Sequence, residues 1–183
     1  MRREEALQEL KKYIQNKNLL KHMYAVEAVM ARLAGHFGED EASWALAGLL
    51  HDIDYDETKD RPEQHALKGA RILEELGLAP EVIHAVKAHN HVLGVPRTSL
   101  MDKALYASDP VTGLIVAGAL IRPEKRLDAV TVDFLLNRFG EKGFARGANR
   151  EQISACSELD LSLEQFLALS LEAMQGIAEE LEL

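Results

Sequence analysis

Sulfur is almost missing from this chain. A single cysteine, Cys156, leaves no internal disulfide and no Cys-based zinc site. Such a protein is at ease in a reducing compartment. Aromatic residues are few, at 5%, so a core has to be built from Leu, Ala, Val and Ile. Glycine and proline are sparse while Ala, Leu, Glu and Lys abound, a balance that favours helices over sheets. No segment alternates with the period of two that marks a half-buried strand. The longest apolar run, Val111 to Ile121, is far too short to span a bilayer. The opening Met1-Arg2-Arg3-Glu4-Glu5 leads into an amphipathic segment without the apolar stretch of a secretory signal. The expectation is a cytoplasmic protein with no membrane partner. Repeats, low-complexity tracts and Pro/Ser-rich linkers are also lacking, so the 183 residues are expected to form one domain, 1–183.

Positive charge is in short supply. Lys and Arg number 21 against 30 Asp and Glu, a formal net charge of -9. That balance repels a phosphate backbone and argues against a nucleic-acid polymer as partner. A small anionic substrate stays compatible, because bound cations reverse the sign of a local field.

What the chain does have is helical periodicity. Glu4 to Ile14 predicts a first amphipathic helix. Leu19, Met23, Val26, Met30, Leu33 and Phe37 recur at helical spacing and mark one apolar face, with Gly35 and Gly38 at its end. A third helix, about Glu39 to Asp52, is apolar nearly all round and is expected in the core. Asp54 to Pro62 is polar and predicts a loop, with Pro62 opening a helix that runs to Leu76. Pro80 opens another, to about His91, followed by a turn at Gly94-Val95-Pro96. Thr98 or Ser99 caps a helix from near Leu100, which Pro110 is expected to interrupt or kink before it continues to Ile121. Two or three more helices follow, the last from Leu163 to Leu181.

Seven histidines are present, several of them on faces turned toward the core. An imidazole there needs a hydrogen bond or a metal. His51-Asp52 ends the most apolar helix, where an unpaired buried carboxylate would be costly. A metal would offset that cost; alternatively Asp52 is exposed and His51 bonds a carbonyl. His22 sits at the edge of the second helix's apolar face, where a structural role is the commoner one. His65 shares a stripe with Gly69, Ile72 and Leu76, and Gly69 would let another element or a ligand approach closely. His89 follows Val82 and Val86 at helical spacing. Asp109 lies one turn after Leu105. Together these helices offer His and Asp ligands without sulfur, a set suited to Fe, Mn or Zn. Four such ligands would hold one ion, and six, with Asp52 bridging, two.

The order His22, His51-Asp52, Asp109, and the phrase Leu49-Leu50-His51-Asp52-Ile53, resemble the HD-domain superfamily of metal-dependent phosphohydrolases over about residues 18 to 120. The resemblance implies an all-α, compact helical bundle and, by position, metal ligation by His22, His51, Asp52 and Asp109. His65 and His89 fall where the six-ligand, two-metal subset has its extra histidines, with His91 able to replace or support His89. Many members follow the pair with Gly and Lys; here Ile53-Asp54-Tyr55 stands instead. Lys68 is the nearest replacement, and Arg97 and Lys103 are further candidates, unless they are ordinary surface charge. Asp54 and Asp56 are expected to back the ligands or serve as general base, or else to be solvated loop residues. Catalytic roles are thus assigned to Asp52, Asp54 and Lys68. His36 and His84 are expected to be structural or exposed.

The implied activity is hydrolysis of a small phosphorylated molecule by metal-activated water. A nucleotide phosphomonoester, phosphodiester or anhydride is the expected substrate. A mixed-valent di-iron oxygenase of a polyol-like or phosphonate-like substrate would use the same ligands. A non-catalytic sensor or binding module is the third alternative. Residues 122–183 are expected to pack on the 18–120 core as a helical extension, and a homodimer is left open.

Overall fold

A computed structural model of the chain describes residues 1–141 and 143–183. Among the described residues every regular element is a helix, so the all-α expectation holds. In chain order these are α1 (Arg3–Tyr13), α2 (Lys17–Phe37), α3 (Glu41–Leu50), α4 (Tyr55–Thr58), α5 (Leu67–Glu75) and α6 (Pro80–His89). There follow α7 (Leu100–Ile121), α8 (Val132–Phe139), α9 (Arg150–Ser154), α10 (Leu163–Gln175) and α11 (Ala178–Leu181).

Helix starts are set by side chains that accept from the first free backbone N–H groups. Asn16, Asp40, Ser99, Thr131, Asn149 and Ser162 do this for α2, α3, α7, α8, α9 and α10. Ser99, not Thr98, caps α7, and Asp102 reaches back to the Ser99 N–H at 2.9 Å to close a capping box.

Three expectations need correction and a fourth is narrowed. The polar stretch after Asp54 is not all loop, because the Asp54 carbonyl takes the Thr58 N–H and hydroxyl and winds α4. Pro62 does not open α5. Ala66 sits at φ 67°, in the left-handed region, and helix begins only beyond it. Of the two outcomes expected at Pro110, interruption is ruled out: α7 runs through it, held by the buried side chains of Ala107, Val111 and Leu114. The last helix stops at Gln175, because Gly176 is a poor helix former and Ile177 leaves helical geometry at ψ 24°.

α2 and α3 make the most extensive pairing in the fold. Gly48 makes it so close: a Cβ there would meet the Val26 carbonyl at 2.7 Å and the Glu27 backbone at 2.8 Å. α7 lies against α2, α3, α6, α8, α9 and α10. By length and composition it could cross a membrane, but most of it is buried inside the fold, as in a core helix. α10 packs on α2 and α8 through Phe166, Leu167, Leu171 and Met174. Leu10, Met23, Met30, Leu33, Leu49, Leu50, Leu105 and Leu114 fill the centre.

Candidate metal centre

His51 follows the last residue of α3 and has no exposed surface; Asp52, next in a turn, is 6% exposed. The apolar Leu49 and Leu50 bury the end of α3 and carry this pair into the interior with it. α2 brings His22 to the same point, α7 brings Asp109 and α6 ends there with His89. His65 arrives from the turn before α5, where the left-handed Ala66 reverses the chain.

The donor atoms of all six residues converge. His22 Nε2 lies 3.2 Å from His51 Nε2, 3.2 Å from Asp109 Oδ1 and 3.8 Å from Asp52 Oδ2. On the other side Asp52 Oδ1 lies 3.2 Å from His65 Nε2, 3.5 Å from His89 Nε2 and 3.5 Å from His51 Nε2. His65 and His89 bring their Nε2 atoms to 3.2 Å of each other. His22, His51 and Asp109 form one triad with ligand atoms within 4.8 Å, and His51, Asp52 and His89 form a second. His51 is common to both triads, while His65 joins through Asp52 and His89.

Each imidazole is held from behind by its Nδ1. His51 donates to the Gly48 carbonyl at 2.8 Å and His89 to the Val86 carbonyl at 2.5 Å. His65 Nδ1 faces Asp54 Oδ1 at 2.9 Å. His22 Nδ1 faces the Thr112 hydroxyl at 3.0 Å. That hydroxyl gives its own proton to the Asp109 carbonyl, so toward His22 it can only accept. With Nδ1 as donor, a neutral ring presents its Nε2 lone pair inward, the form a metal ligand needs.

The two carboxylates attract positive charge, which protons supply here and which a divalent cation would supply by displacing them. Burial pushes His51 down to about 4, only partly offset by Asp52 and Asp109, so His51 is neutral. Burial would also depress His65, but the hydrogen bonds to Asp52 and Asp54 outweigh it and raise it to about 10. His22 is raised in the same way, Asp109 and Asp52 overcoming burial. Burial would raise Asp52, yet His51 and the His65 and His89 hydrogen bonds hold it well below the usual carboxylate range. Asp109 is lowered too, His22 prevailing over burial. Two carboxylates kept ionised among pinned imidazoles form a donor set that fits a divalent transition metal.

The cluster forms the floor of a cavity of about 400 Å³. Of the three residues assigned catalytic roles, only Asp52 lines it. Asp54 takes the part of backing a ligand and not that of general base: it is buried behind His65, and Oδ2 accepts the Ala66 and Gly69 N–H groups at 2.9 and 2.8 Å. A carboxylate so saturated cannot be a general base. Gly69 leaves it room, since a Cβ would come within 3.3 Å of its Cγ. Lys68 is a correction: it is 43% exposed, pairs with Glu57 and does not line the cavity. Arg97 pairs with Glu158 at 2.6 Å and stacks on Tyr106, Asp56 accepts the Gln15 N–H, and Lys103 is half-buried away from the cavity. His91 lines the cavity mouth and is exposed, while the buried His89 is the one in the cluster. His36 is exposed against Phe37, and His84 bonds Asp102.

Sequence reasoning missed Thr112, Asn90, Lys59 and Gln152. Thr112 was in reach of it, lying one turn after Asp109. Asn90 ties the Pro62 and His65 carbonyls to the end of α6, at 2.7 and 2.9 Å. Lys59 lines the cavity and has no ion-pair partner among the described residues. Gln152 carries no sequence signal, since it comes from α9, far along the chain.

The chain is similar to Ribonuclease Y of Lawsonia intracellularis, 31% identical over 144 residues, which cover 73% of this chain and 26% of that protein. Ribonuclease Y of Oleidesulfovibrio alaskensis is 33% identical over 98 residues, 54% of this chain and 18% of the relative. Ribonuclease Y of Clostridium kluyveri is 29% identical over 168 residues, 90% of this chain and 32% of the relative. The chain therefore spans at most about a third of the length of these relatives. No solved structure gives a significant match. The family profile described as "HD domain" matches residues 19–117, a stretch that takes in all six clustered residues, and the chain belongs to the HD-domain family.

Proposed function

We propose that the chain is a metal-dependent phosphohydrolase of a small nucleotide, cleaving a phosphomonoester, phosphodiester or anhydride bond at a two-metal site. The observation that carries this is the convergence of six donor residues, with the four imidazoles each pinned through Nδ1. His22, His51, Asp52 and Asp109 would hold one ion; His65, His89 and a bridging Asp52 would hold the second. Bound there, Fe, Mn or Zn would supply water activation and positive charge for phosphoryl chemistry.

The chain's own residues then position and neutralise. Asp54 and Thr112 keep His65 and His22 aimed. Lys59, at the cavity wall and free of an ion pair among the described residues, takes the phosphate-contacting part first assigned to Lys68. A cavity of about 400 Å³ is in the range that encloses a small ligand. The relatives are named as ribonucleases, which supports phosphoester cleavage over oxygen chemistry. The net charge of -9 supports a nucleotide over an RNA polymer.

The test is metal content per chain on anaerobically purified protein, beside His65→Ala, followed by a hydrolysis panel. Near two ions, falling toward one in the variant, with release of phosphate or nucleotide from small substrates, is the expected result. One ion or fewer, unchanged in the variant, removes the two-metal site. Metal-loaded protein that leaves mononucleotides, dinucleotides, nucleoside triphosphates and a single-stranded oligonucleotide untouched removes the activity. Oxygen uptake by iron-loaded protein on a polyol or phosphonate would replace it with the oxygenase.

A further inference from the structure

Among the described residues the cavity wall contains one buried neutral polar side chain whose hydrogen-bonding capacity is unspent. Gln152 is 7% exposed and lines the cavity, yet its amide has no partner among the described residues. Asn90, the other amide of the wall, is already committed. Its Nδ2 gives to the Pro62 and His65 carbonyls and its Oδ1 accepts the Val92 N–H. The Gln152 amide reaches the cavity, where water or a ligand can supply its partners.

Gln152 is also held in place. Asn149 caps α9 and accepts its N–H, and the next residue, Ile153, is fully buried. Arg150, two residues before, anchors the preceding loop by donating to the carbonyls of Phe139, Phe144, Ala145 and Ala148. A side chain on so fixed a segment adds recognition without a large ordering cost. Exposed apolar surface lies on the same cavity, from Tyr55 at 39% and Val92 at 48%. An amide that both donates and accepts, beside apolar surface, suits the edge and face of a nucleobase better than a phosphate.

We infer that Gln152 is a specificity-determining residue that hydrogen-bonds the nucleobase of the substrate, from a segment outside the HD-domain match of residues 19–117. The inference rests on the nucleotide hydrolase proposed above but has its own readout. The experiment is calorimetric titration of the full, metal-loaded chain with methylene-phosphonate analogues of adenosine and uridine 5′-monophosphate. The base-free ribose analogue is titrated beside them.

At least one nucleoside analogue is expected to bind about tenfold more tightly than the ribose analogue, the value of one good hydrogen-bonded contact. Gln152→Leu closes that gap and leaves the ribose analogue's affinity and the metal content unchanged. Gln152→Glu, which keeps an acceptor but no donor, shifts which base is preferred and serves as a second variant should the leucine disturb folding. No gap in the wild type, a gap that survives in both variants, or no binding of any analogue overturns the inference. A protein that hydrolyses phosphoesters with no base-dependent gap loses this inference and keeps the activity. A gap that Gln152→Leu closes in a protein inert on the hydrolysis panel does the reverse.

Discussion

Each clustered imidazole has one nitrogen bonded to the protein and the other facing its neighbours, and the groups behind them are ordinary. Two are helix carbonyls, of Gly48 and Val86, which any sequence would supply. The other two are side chains, and they are where a substitution can act. Thr112→Val keeps the shape but removes the acceptor facing His22 Nδ1 at 3.0 Å. Metal affinity is expected to fall about 10–100-fold, measured by chelator competition. Urea stability should change by no more than about 1–1.5 kcal/mol. An unchanged affinity would show that Thr112 does not orient His22. At this scale the ligands themselves were legible in sequence, because a His or Asp on an apolar face needs an explanation. Asp54 was legible as backing a ligand or serving as base, and only the fold decides between the two, since Ala66, Gly69 and His65 occupy both its oxygens.

Helix ends and helix contacts set the scaffold. Gly48→Ala puts a methyl against the backbone of α2 and should cost about 1–3 kcal/mol in chemical denaturation. Because His51 lies three residues on, weaker metal binding should accompany the loss. At the start of α7, Asp102 accepts the Thr98 and Ser99 N–H groups at 2.9 Å and faces His84 at 3.0 Å. Burial would raise its carboxyl, but these bonds hold it below the usual range. A depressed folded-state value means the contribution is complete above the unfolded carboxyl's range and is lost as pH falls through the folded value. Asp102→Ala is therefore expected to cost about 1–2 kcal/mol at neutral pH. The gap to wild type stays constant down to about pH 5 and closes in acid. Thermal unfolding across pH measures it, and a gap that widened in acid would contradict the assignment. The apolar face of α2 and the cap of α7 were readable, but the start of α5 was not. A left-handed Ala66 is set by a carboxylate twelve residues earlier in the chain.

In the whole molecule, α2, α3, α6, α7 and the turn before α5 all end or pass at one point, so folding assembles the site and the site reports on folding. Ions that bind only the folded cluster should stabilise the chain by about 2.7 kcal/mol at a hundredfold excess over Kd. For a domain of this size that raises Tm by about 5–11 °C, and a chelator should reverse it. A Tm indifferent to Mn, Zn or Fe would argue that the cluster is not a metal site. The C-terminal helices take part as well, since α9 carries Gln152 to the cavity and α10 covers α2.

The all-helical class, the buried end of α3 and the ordered set of His and Asp residues follow from the sequence alone. Helical periodicity and the cost of burying polar groups are local facts, written in neighbouring residues. Which carboxylate faces the cavity, which lysine stands beside it and which distant amide completes its wall were decided only by tertiary structure. Those are questions of direction and proximity between segments far apart in the chain, and no local pattern encodes them.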